Sequence, residues 1–527
     1  MEKQASQIGL EILKAGGNAI DAAVATAFAL AVTHPFAGNL GGGGFMLIRL
    51  ASGEEVSLDF REMAPGGSTA DMFLTDNGTV DTEKASLGYL VAAVPGTVKG
   101  LEVAWQKYGS LPWKDLIQPS IKLAQEGIYL NKYDAAELRK HQQDLARFPE
   151  TRKVFFKTNE ETYGPEDLLK QPDLARTLQA IARHGAKIFY EGSIADEIVA
   201  DFKANAGILN KQDLKNYAVK IRQPFKMHFQ GYEIISMPLP SAGGISVMQL
   251  LGILQQFNLK KDPLQPDNLH LLIESMRYVF LNRTKYLGDP DFVQVPVRDL
   301  LSNKTAGEIA HKINLQKATP SATLSGDVLV HKEKIETTHF SVIDAAGNMV
   351  ATTITLEDGF GSKAVVKNLG FLLNSEMHDF NINPYQKNIQ GGLGSDPNGI
   401  APRKRMISSM APTLVLKNNK SYLITGSPGG RTIANTVLQI ILGTTTYGLS
   451  LQAALRLPRL SHLWMPDWVH VEKNSWPADV LKALEAKGHL LKEGDYLGDA
   501  HSILINPITG EYEAEADPRR NGWAEAF

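Results

Sequence analysis

Apolar residues recur three and four positions apart through residues 6–15, 114–126, 173–184 and 193–204, which predicts amphipathic helices there. Residues 19–32 follow a different pattern. Nearly every position is apolar or small, and Asp21 is the exception. This is a helix enclosed by other elements, and it falls short of the roughly 18–20 apolar residues of a membrane span. Gly16-Gly17 ends the first helix, and Asn18 is placed to cap the second. Short apolar runs predict strands at 46–50, 56–60, 231–237, 370–374 and 413–416, and the turn 238–244 feeds helices at 245–257 and 267–284. The polar, weakly patterned stretch 300–335 reads as an exposed, cleavable linker.

Just past that stretch, Phe340 and Val342, then Met349, Ala351, Thr353 and Thr355, alternate with period two around Asp344-Ala345-Ala346-Gly347-Asn348. This predicts two strands joined by a tight hairpin, with Thr337-Thr338 at the mouth of the first. A threonine hydroxyl is a weak nucleophile without a neighbouring base. Cleavage before Thr337 would supply one, because a free α-amine has a pKa of about 7.7–8.0. Two threonines opening a strand are also an ordinary β-propensity choice, so this segment alone leaves both readings open.

Composition narrows the field. The 527 residues are 43% hydrophobic and 21% charged, as in a soluble globular protein, and the length allows several domains or one large α/β unit. The formal charge is −3 and the densest cationic spot is Arg403-Lys404-Arg405, too little for a nucleic-acid groove. There is no cysteine, which excludes disulfides, thiolate catalysis and cysteine metal sites. Residues 1–5 carry no export signal and run directly into a helix, as at the start of a mature domain.

Several further segments carry candidate chemistry. Gly38 to Phe45 includes four consecutive glycines, but it lacks the Lys-Ser/Thr of a phosphate loop and leads into a strand. It reads as a close backbone approach or a wall of a site. Arg61, at a strand end, suits bidentate capture of a carboxylate. Glu376 and Asp379 are paired acids able to hold an ammonium group. Ser408-Ser409 precedes a strand. Gly429-Gly430 brings bare backbone N–H groups to a helix start, which suits an oxyanion hole. Each of these has an ordinary structural reading as well. There is no Gly-x-Ser-x-Gly elbow, His-Glu-x-x-His helix, dinucleotide fingerprint or internal repeat.

Together, Gly38–Phe45, Asp59–Pro65, Thr337–Asp344, Ser408–Pro412 and Gly426–Gly430 resemble the γ-glutamyltranspeptidases, a family of N-terminal-nucleophile hydrolases, and the likeness covers essentially the whole chain. The resemblance implies a four-layer αββα sandwich. It also implies self-cleavage into a large subunit, 1–336, and a small one, 337–527, interwoven as a heterodimer. Thr337 is then the nucleophile and Thr355 its supporting hydroxyl. Gly429 and Gly430 form the oxyanion hole. Arg61, Ser408 and Ser409 hold the substrate α-carboxylate, and Glu376 and Asp379 hold its α-ammonium. The implied substrates are glutathione and other γ-glutamyl compounds, with water, amino acids or dipeptides as acceptors and no metal or organic cofactor. A periplasmic or extracellular location follows from the family's bacterial members. Two positions depart from the family pattern. Glu357 stands where relatives commonly have an asparagine at the substrate head group, and Gln390 stands where bacterial relatives can carry a lid tyrosine. The alternatives are an amidohydrolase of this fold acting on another acyl donor, such as a cephalosporin side chain or poly-γ-glutamate, and an unprocessed γ-glutamyl-binding protein.

Overall fold

The computed structural model of the protein describes residues 2–325, 336–385 and 396–527. Two antiparallel sheets face each other. Their strands, in chain order, are β1 (Gly43–Arg49), β2 (Glu55–Phe60), β3 (Lys220–Arg222), β4 (Phe225–Phe229), β5 (Tyr232–Ser236), β6 (Glu336–Ile343), β7 (Met349–Glu357), β8 (Thr413–Lys417), β9 (Lys420–Thr425), β10 (His501–Ile505) and β11 (Tyr512–Ala516). The five-stranded sheet runs β3-β2-β1-β7-β6, and the six-stranded sheet runs β11-β10-β9-β8-β5-β4. Both sheets draw strands from either side of Glu336, so the segments before and after that residue share one core.

Strand periodicity explains the layering. Met46, Ile48, Leu58 and Val350 point away from the second sheet and pack with the buried helix α2 (Ala19–Thr33) and with α3 (Trp113–Glu126) and α4 (Pro172–His184). On the other side Ile234, Val415 and Leu423 pack against α5 (Ala242–Leu254), α6 (Pro266–Tyr286) and α7 (Ile433–Thr445). Between the sheets lie Leu47, Ile235, Met349, Ala351, Leu414, Leu416 and Ile424. The result is the expected four-layer αββα sandwich, two sheets with helices on both outer faces. Along β7 the inter-sheet face changes from hydrocarbon to hydroxyl: Met349 and Ala351 are followed at the same parity by Thr353 and Thr355. On β6, His339 joins this polar end, its Nδ1 and Thr353 Oγ1 sharing a 2.8 Å hydrogen bond.

The predicted helices stand with shifted ends. The first begins at Lys3, capped by the Glu2 side chain, and α5 begins at Ala242 rather than 245 and stops at Leu254. Asn18 caps α2 as expected, with Asp21 completing a reciprocal capping box. Two expectations fail. Residues 370–374 form no strand of either sheet; Leu372 and Leu373 make isolated bridges to Val365 and Gly41. The stretch 300–335 is not an unstructured linker throughout, because Asn303–Lys312 is a helix whose Ala306, Ile309 and Ala310 are buried. Residues 326–335 lie outside the described chain.

The glycine run proves to be an approach of backbone to backbone. Gly43 and Gly44 belong to β1 and pair with Thr355 and Ile354 of β7. A Cβ on Gly42 would sit 2.1 Å from the Thr355 carbonyl oxygen, and one on Gly44 would sit 2.2 Å from that of Thr353. Only glycine lets β1 press this closely on the strand that carries Thr355. No described helix is long and apolar enough to cross a membrane.

Candidate active site

A single small pocket is lined by Arg61, Thr337, Thr355, Glu357, Asp379, Ser408, Ser409 and Gly430, together with Met410 and Ile433. Of the ten site residues expected from sequence, eight line it directly. The other two adjoin it: Glu376 is 2.6 Å from Arg61, and Gly429 precedes Gly430.

At the pocket floor β6 is irregular. Glu336 pairs with Glu357 and Thr338 with Ile354, so the register slips at Thr337. Such a bulge takes a residue out of the ladder and re-aims its side chain. Thr337 Oγ1 lies 3.4 Å from Thr355 Oγ1, and both residues are buried. The Glu357 N–H donates to Thr355 Oγ1 at 2.8 Å, while the Thr355 hydroxyl donates to the Glu336 carbonyl oxygen at 3.0 Å. The second threonine therefore touches both the candidate nucleophile and the carbonyl of the peptide bond preceding it. The Glu336 side chain is held at 2.9 Å by Arg520, whose guanidinium also lies over the Tyr133 ring.

At the opposite wall, Arg61 is 1% exposed and surrounded by acids. Nη1 is 2.6 Å from Glu376 and 3.5 Å from Glu62, and Nη2 pairs with Asp379 and donates to the Ile407 carbonyl at 3.2 Å. Burial alone would lower the guanidinium's pKa, but Glu376, Asp379 and Glu62 hold it above its ordinary value. Burial drives the Glu62 carboxyl up to about 8 against the pull of Arg61. Glu376 is likewise raised by burial, with Glu62, Asp379 and Glu357 adding repulsion. One cation and three carboxyls share a dry site, and protons make up part of the deficit. The resemblance implied an arginine at one pole of the substrate and acids at the other. In the structure the arginine and the acids are instead in contact.

The remaining groups come from turns. The short 3₁₀ turn Glu376–Asp379 presents both acids, and Asn398 Nδ2 donates to the Asp379 carbonyl at 2.7 Å. Ser408 Oγ accepts from Met410 N at 3.2 Å, leaving its own hydrogen to donate, and Ser409 Oγ accepts from Arg283 of α6 at 3.1 Å. Gly429 has φ 132° and Gly430 φ 52°, values that favour glycine. Thr432 ties back the Gly429 carbonyl through N–H and Oγ1, at 3.1 and 2.8 Å, just ahead of α7. This puts the N-terminal end of a helix, a site of partial positive charge, at the pocket.

Glu357 has φ 79°, unusual for its residue type. Ser375 Oγ donates to its carboxylate at 2.7 Å, and His378 Nδ1 lies 3.2 Å away. Sequence reasoning missed Glu62, Arg283, Arg520 and this Ser375–His378 clamp. Only Glu62 carried a signal, its adjacency to Arg61. The other contacts span separations that no local motif records. Gln390 lies outside the described residues.

Comparison with known proteins agrees with this geometry. The family model described as gamma-glutamyltranspeptidase matches residues 5–527. The glutathione hydrolase proenzyme of Escherichia coli K12 is 43% identical over 520 residues, covering 98% of this chain and 89% of that protein. The acylase ACY 1 proenzyme of Pseudomonas sp. V22 is 35% identical over 513 residues, covering 95% and 88%. Among solved structures, a cephalosporin acylase from Bacillus halodurans matches with a TM-score of 0.88 at 28% identity, over 100% of this chain and 94% of that one. A Helicobacter pylori gamma-glutamyltranspeptidase chain matches with a TM-score of 0.60 at 45% identity, over 60% of this chain and 92% of that one. With a family model spanning nearly its full length and relatives of this similarity, the chain belongs to the γ-glutamyltranspeptidase family.

Proposed function

We propose that the protein cleaves itself between Glu336 and Thr337 and then acts as a γ-glutamyltransferase and glutathione hydrolase. The observation that carries this is the Thr337–Thr355–Glu336 contact set at the floor of a pocket whose far wall is Arg61 and Asp379. In self-cleavage the Thr337 hydroxyl oxygen adds to the Glu336 carbonyl carbon, polarised by the Thr355 hydroxyl. The C–N bond breaks, the nitrogen keeps the hydroxyl's proton, and an ester forms. Water then hydrolyses the ester, releasing the Glu336 carboxylate and a Thr337 with both a free hydroxyl and a free amine. The products are a large subunit, 1–336, and a small one, 337–527, held in one core.

In turnover the Thr337 amine, directly or through water, takes the hydroxyl proton as Oγ1 attacks the γ-carbonyl of the donor. The carbonyl oxygen develops charge facing the Gly429 and Gly430 N–H groups. The leaving amine departs with the proton. The γ-glutamyl ester on Thr337 then passes to water, giving hydrolysis, or to the amine of an amino acid or dipeptide, giving transfer. Arg61 and Ser408, with Ser409, hold the α-carboxylate. Glu376 and Asp379 hold the α-ammonium, which supplies the positive charge their cluster lacks. The glutathione hydrolase names of the relatives support the substrate class. A periplasmic or extracellular site of action accords with the bacterial relatives.

A second reading rests on Glu357 and the acylase relatives: an amidohydrolase of this fold acting on a different acyl donor. Intact mass under denaturing conditions, followed by turnover of a γ-glutamyl anilide with and without a dipeptide, separates the possibilities. Two fragments split before Thr337, with acceptor-stimulated turnover, are expected. Two fragments inert toward γ-glutamyl donors would favour the acylase reading. One uncut, inactive chain would overturn the processing step and leave a γ-glutamyl-binding protein.

A further inference from the structure

Away from the pocket, three side chains with metal-binding chemistry meet in the core. His270 and Glu274 stand four residues apart on α6, and therefore on one face of it. His489 follows the helix Ala478–Ala486. All three are buried, and one ligand atom from each lies within 4.8 Å of the others. His270 Nδ1 is 2.7 Å from His489 Nε2, and His270 Nε2 is 2.7 Å from the Asn314 carbonyl oxygen.

These contacts fix the tautomers. A carbonyl can only accept, so His270 carries its proton on Nε2 and turns the Nδ1 lone pair inward. The 2.7 Å contact is then a bond donated by His489 Nε2–H, and His489 Nδ1 is left with no partner among the described residues. Glu274, fully buried, receives among the described residues only long bonds, 3.3 Å from Arg277 Nε and 3.3 Å from Thr319 N. Buried polar groups so poorly satisfied are costly unless something further binds them.

The surrounding charges leave room for a cation. Arg277 reaches Glu274 through Nε at 3.3 Å while its Nη1 is held by Asp467 and Ser321, and Lys487 is paired with Asp267 at 3.2 Å.

We propose that His270 Nδ1, His489 Nε2 and the Glu274 carboxylate form a binding site for a first-row divalent transition ion of the zinc type. Two imidazoles and one carboxylate suit zinc, cobalt or nickel rather than calcium or magnesium, which take oxygen ligands. The Asn314 carbonyl acts as the outer partner that orients a ligating histidine. On binding, the His489 proton moves from Nε2 to Nδ1, so the ring stays neutral. His270 and Glu274 precede Glu336 and His489 follows it, so the ion would staple together the two fragments made by self-cleavage. That consequence rests on the proposed cut before Thr337, but the site itself does not.

The test is titration of metal-stripped, processed protein with Co(II), read by visible absorption, and then displacement by Zn(II). One equivalent of Co(II) per chain with the bands of a four-coordinate nitrogen–oxygen site is expected. His489→Asn should weaken binding by at least about 100-fold, beyond the usual loss of an outer-partner mutation. Glu274→Gln gives a second variant should that one fail to fold. Zn(II) should raise the urea midpoint for fragment dissociation in the wild type but not in a ligand variant. A Thr337→Ala chain, left uncut, should bind Co(II) as the wild type does, which separates failure of the metal site from failure of processing. No stoichiometric binding by folded wild-type protein, or equal binding by both ligand variants, would overturn the proposal.

Discussion

Two buried clusters of arginine and carboxylate differ in a way that separates structure from function. In one, Arg459 and Arg519 face Glu472 and Asp517, two charges of each sign. Arg519 grips Glu472 with two bonds, at 2.5 and 2.6 Å, and Arg459 pairs with Asp517 at 2.5 Å. All four carboxylate oxygens are satisfied, with the N–H groups of Leu497, Arg459, Ala500 and Arg519 completing the set. In the other, Arg61 faces Glu62, Glu376 and Asp379, and among the described residues neither oxygen of Glu62 or of Glu376 accepts a hydrogen bond. The 2.6 Å approach of Glu376 to Arg61 is an ion pair without hydrogen-bond alignment. The carboxyls respond in opposite senses: despite burial, Arg519 holds Glu472 below its ordinary value, whereas Glu62 and Glu376 rise above theirs. A cluster that only supports the fold balances itself. A cluster with three carboxyls to one guanidinium beside a pocket is suited to receive positive charge, which supports the proposed α-ammonium site.

The contrast predicts opposite consequences for removing a carboxylate. Glu472→Gln should destabilise the protein by about 3–5 kcal/mol, as breaking a buried pair does, because Arg519 and Arg459 are left with one acid. Chemical denaturation would measure it, and the protein that remains folded should keep its Michaelis constant. Asp379→Ala should do the reverse. The expected loss is about 2–5 kcal/mol of donor binding, seen as a raised Michaelis constant for γ-glutamyl donors, with cleavage before Thr337 retained. An unchanged constant in Asp379→Ala would remove this residue from the proposed ammonium site.

Proton linkage sharpens the same comparison. Folded Glu62 keeps its proton up to about pH 8, whereas its ordinary value is 4.5. Between these values the folded state binds more protons than the unfolded one, so this group's contribution to stability falls as pH rises. It is fully present below about pH 4.5 and lost through about pH 8. Thermal unfolding of Glu62→Gln across that window should decline less with rising pH than that of the wild type. Identical pH profiles would mean that Glu62 does not carry the proton.

Much of this was legible in the chain because the informative signals were local. The period of 3.6 found the helices, alternation found the β6–β7 hairpin, and Gly-Gly before a helix found the turn at Gly429. Most residues of the resemblance converge on one pocket because β2, β6 and β7 and the turns after β9 and before β8 each have an end there. What was not legible depended on distance or on context. Nothing in residues 370–374 says that their partners are isolated bridges rather than a sheet edge. The buried side of Asn303–Lys312 is three small or medium residues in a polar stretch, too weak a stripe to outweigh its surroundings. Glu274 and His270 show helical spacing but match no zinc motif, because their partner His489 lies 219 residues from His270. Arg520 reaches Glu336 across 184 residues.

The smallest expected effect tests why Glu357 is tolerated beside a site proposed to accept a carboxylate. Its φ of 79° lies where asparagine is several-fold favoured over glutamate, so Glu357→Asn relieves backbone strain of about 1 kcal/mol while giving up the bonds from Ser375 and His378. Those changes nearly offset each other, and stability should move by no more than about 1 kcal/mol. The electrostatic change does not cancel. Removing a negative charge from the pocket lining should ease entry of the α-carboxylate by about 1 kcal/mol, a fivefold fall in the donor Michaelis constant with processing unaltered. A rise in that constant would mean that Glu357 assists the ammonium instead, as a further acid in the Arg61 cluster's shortage of positive charge.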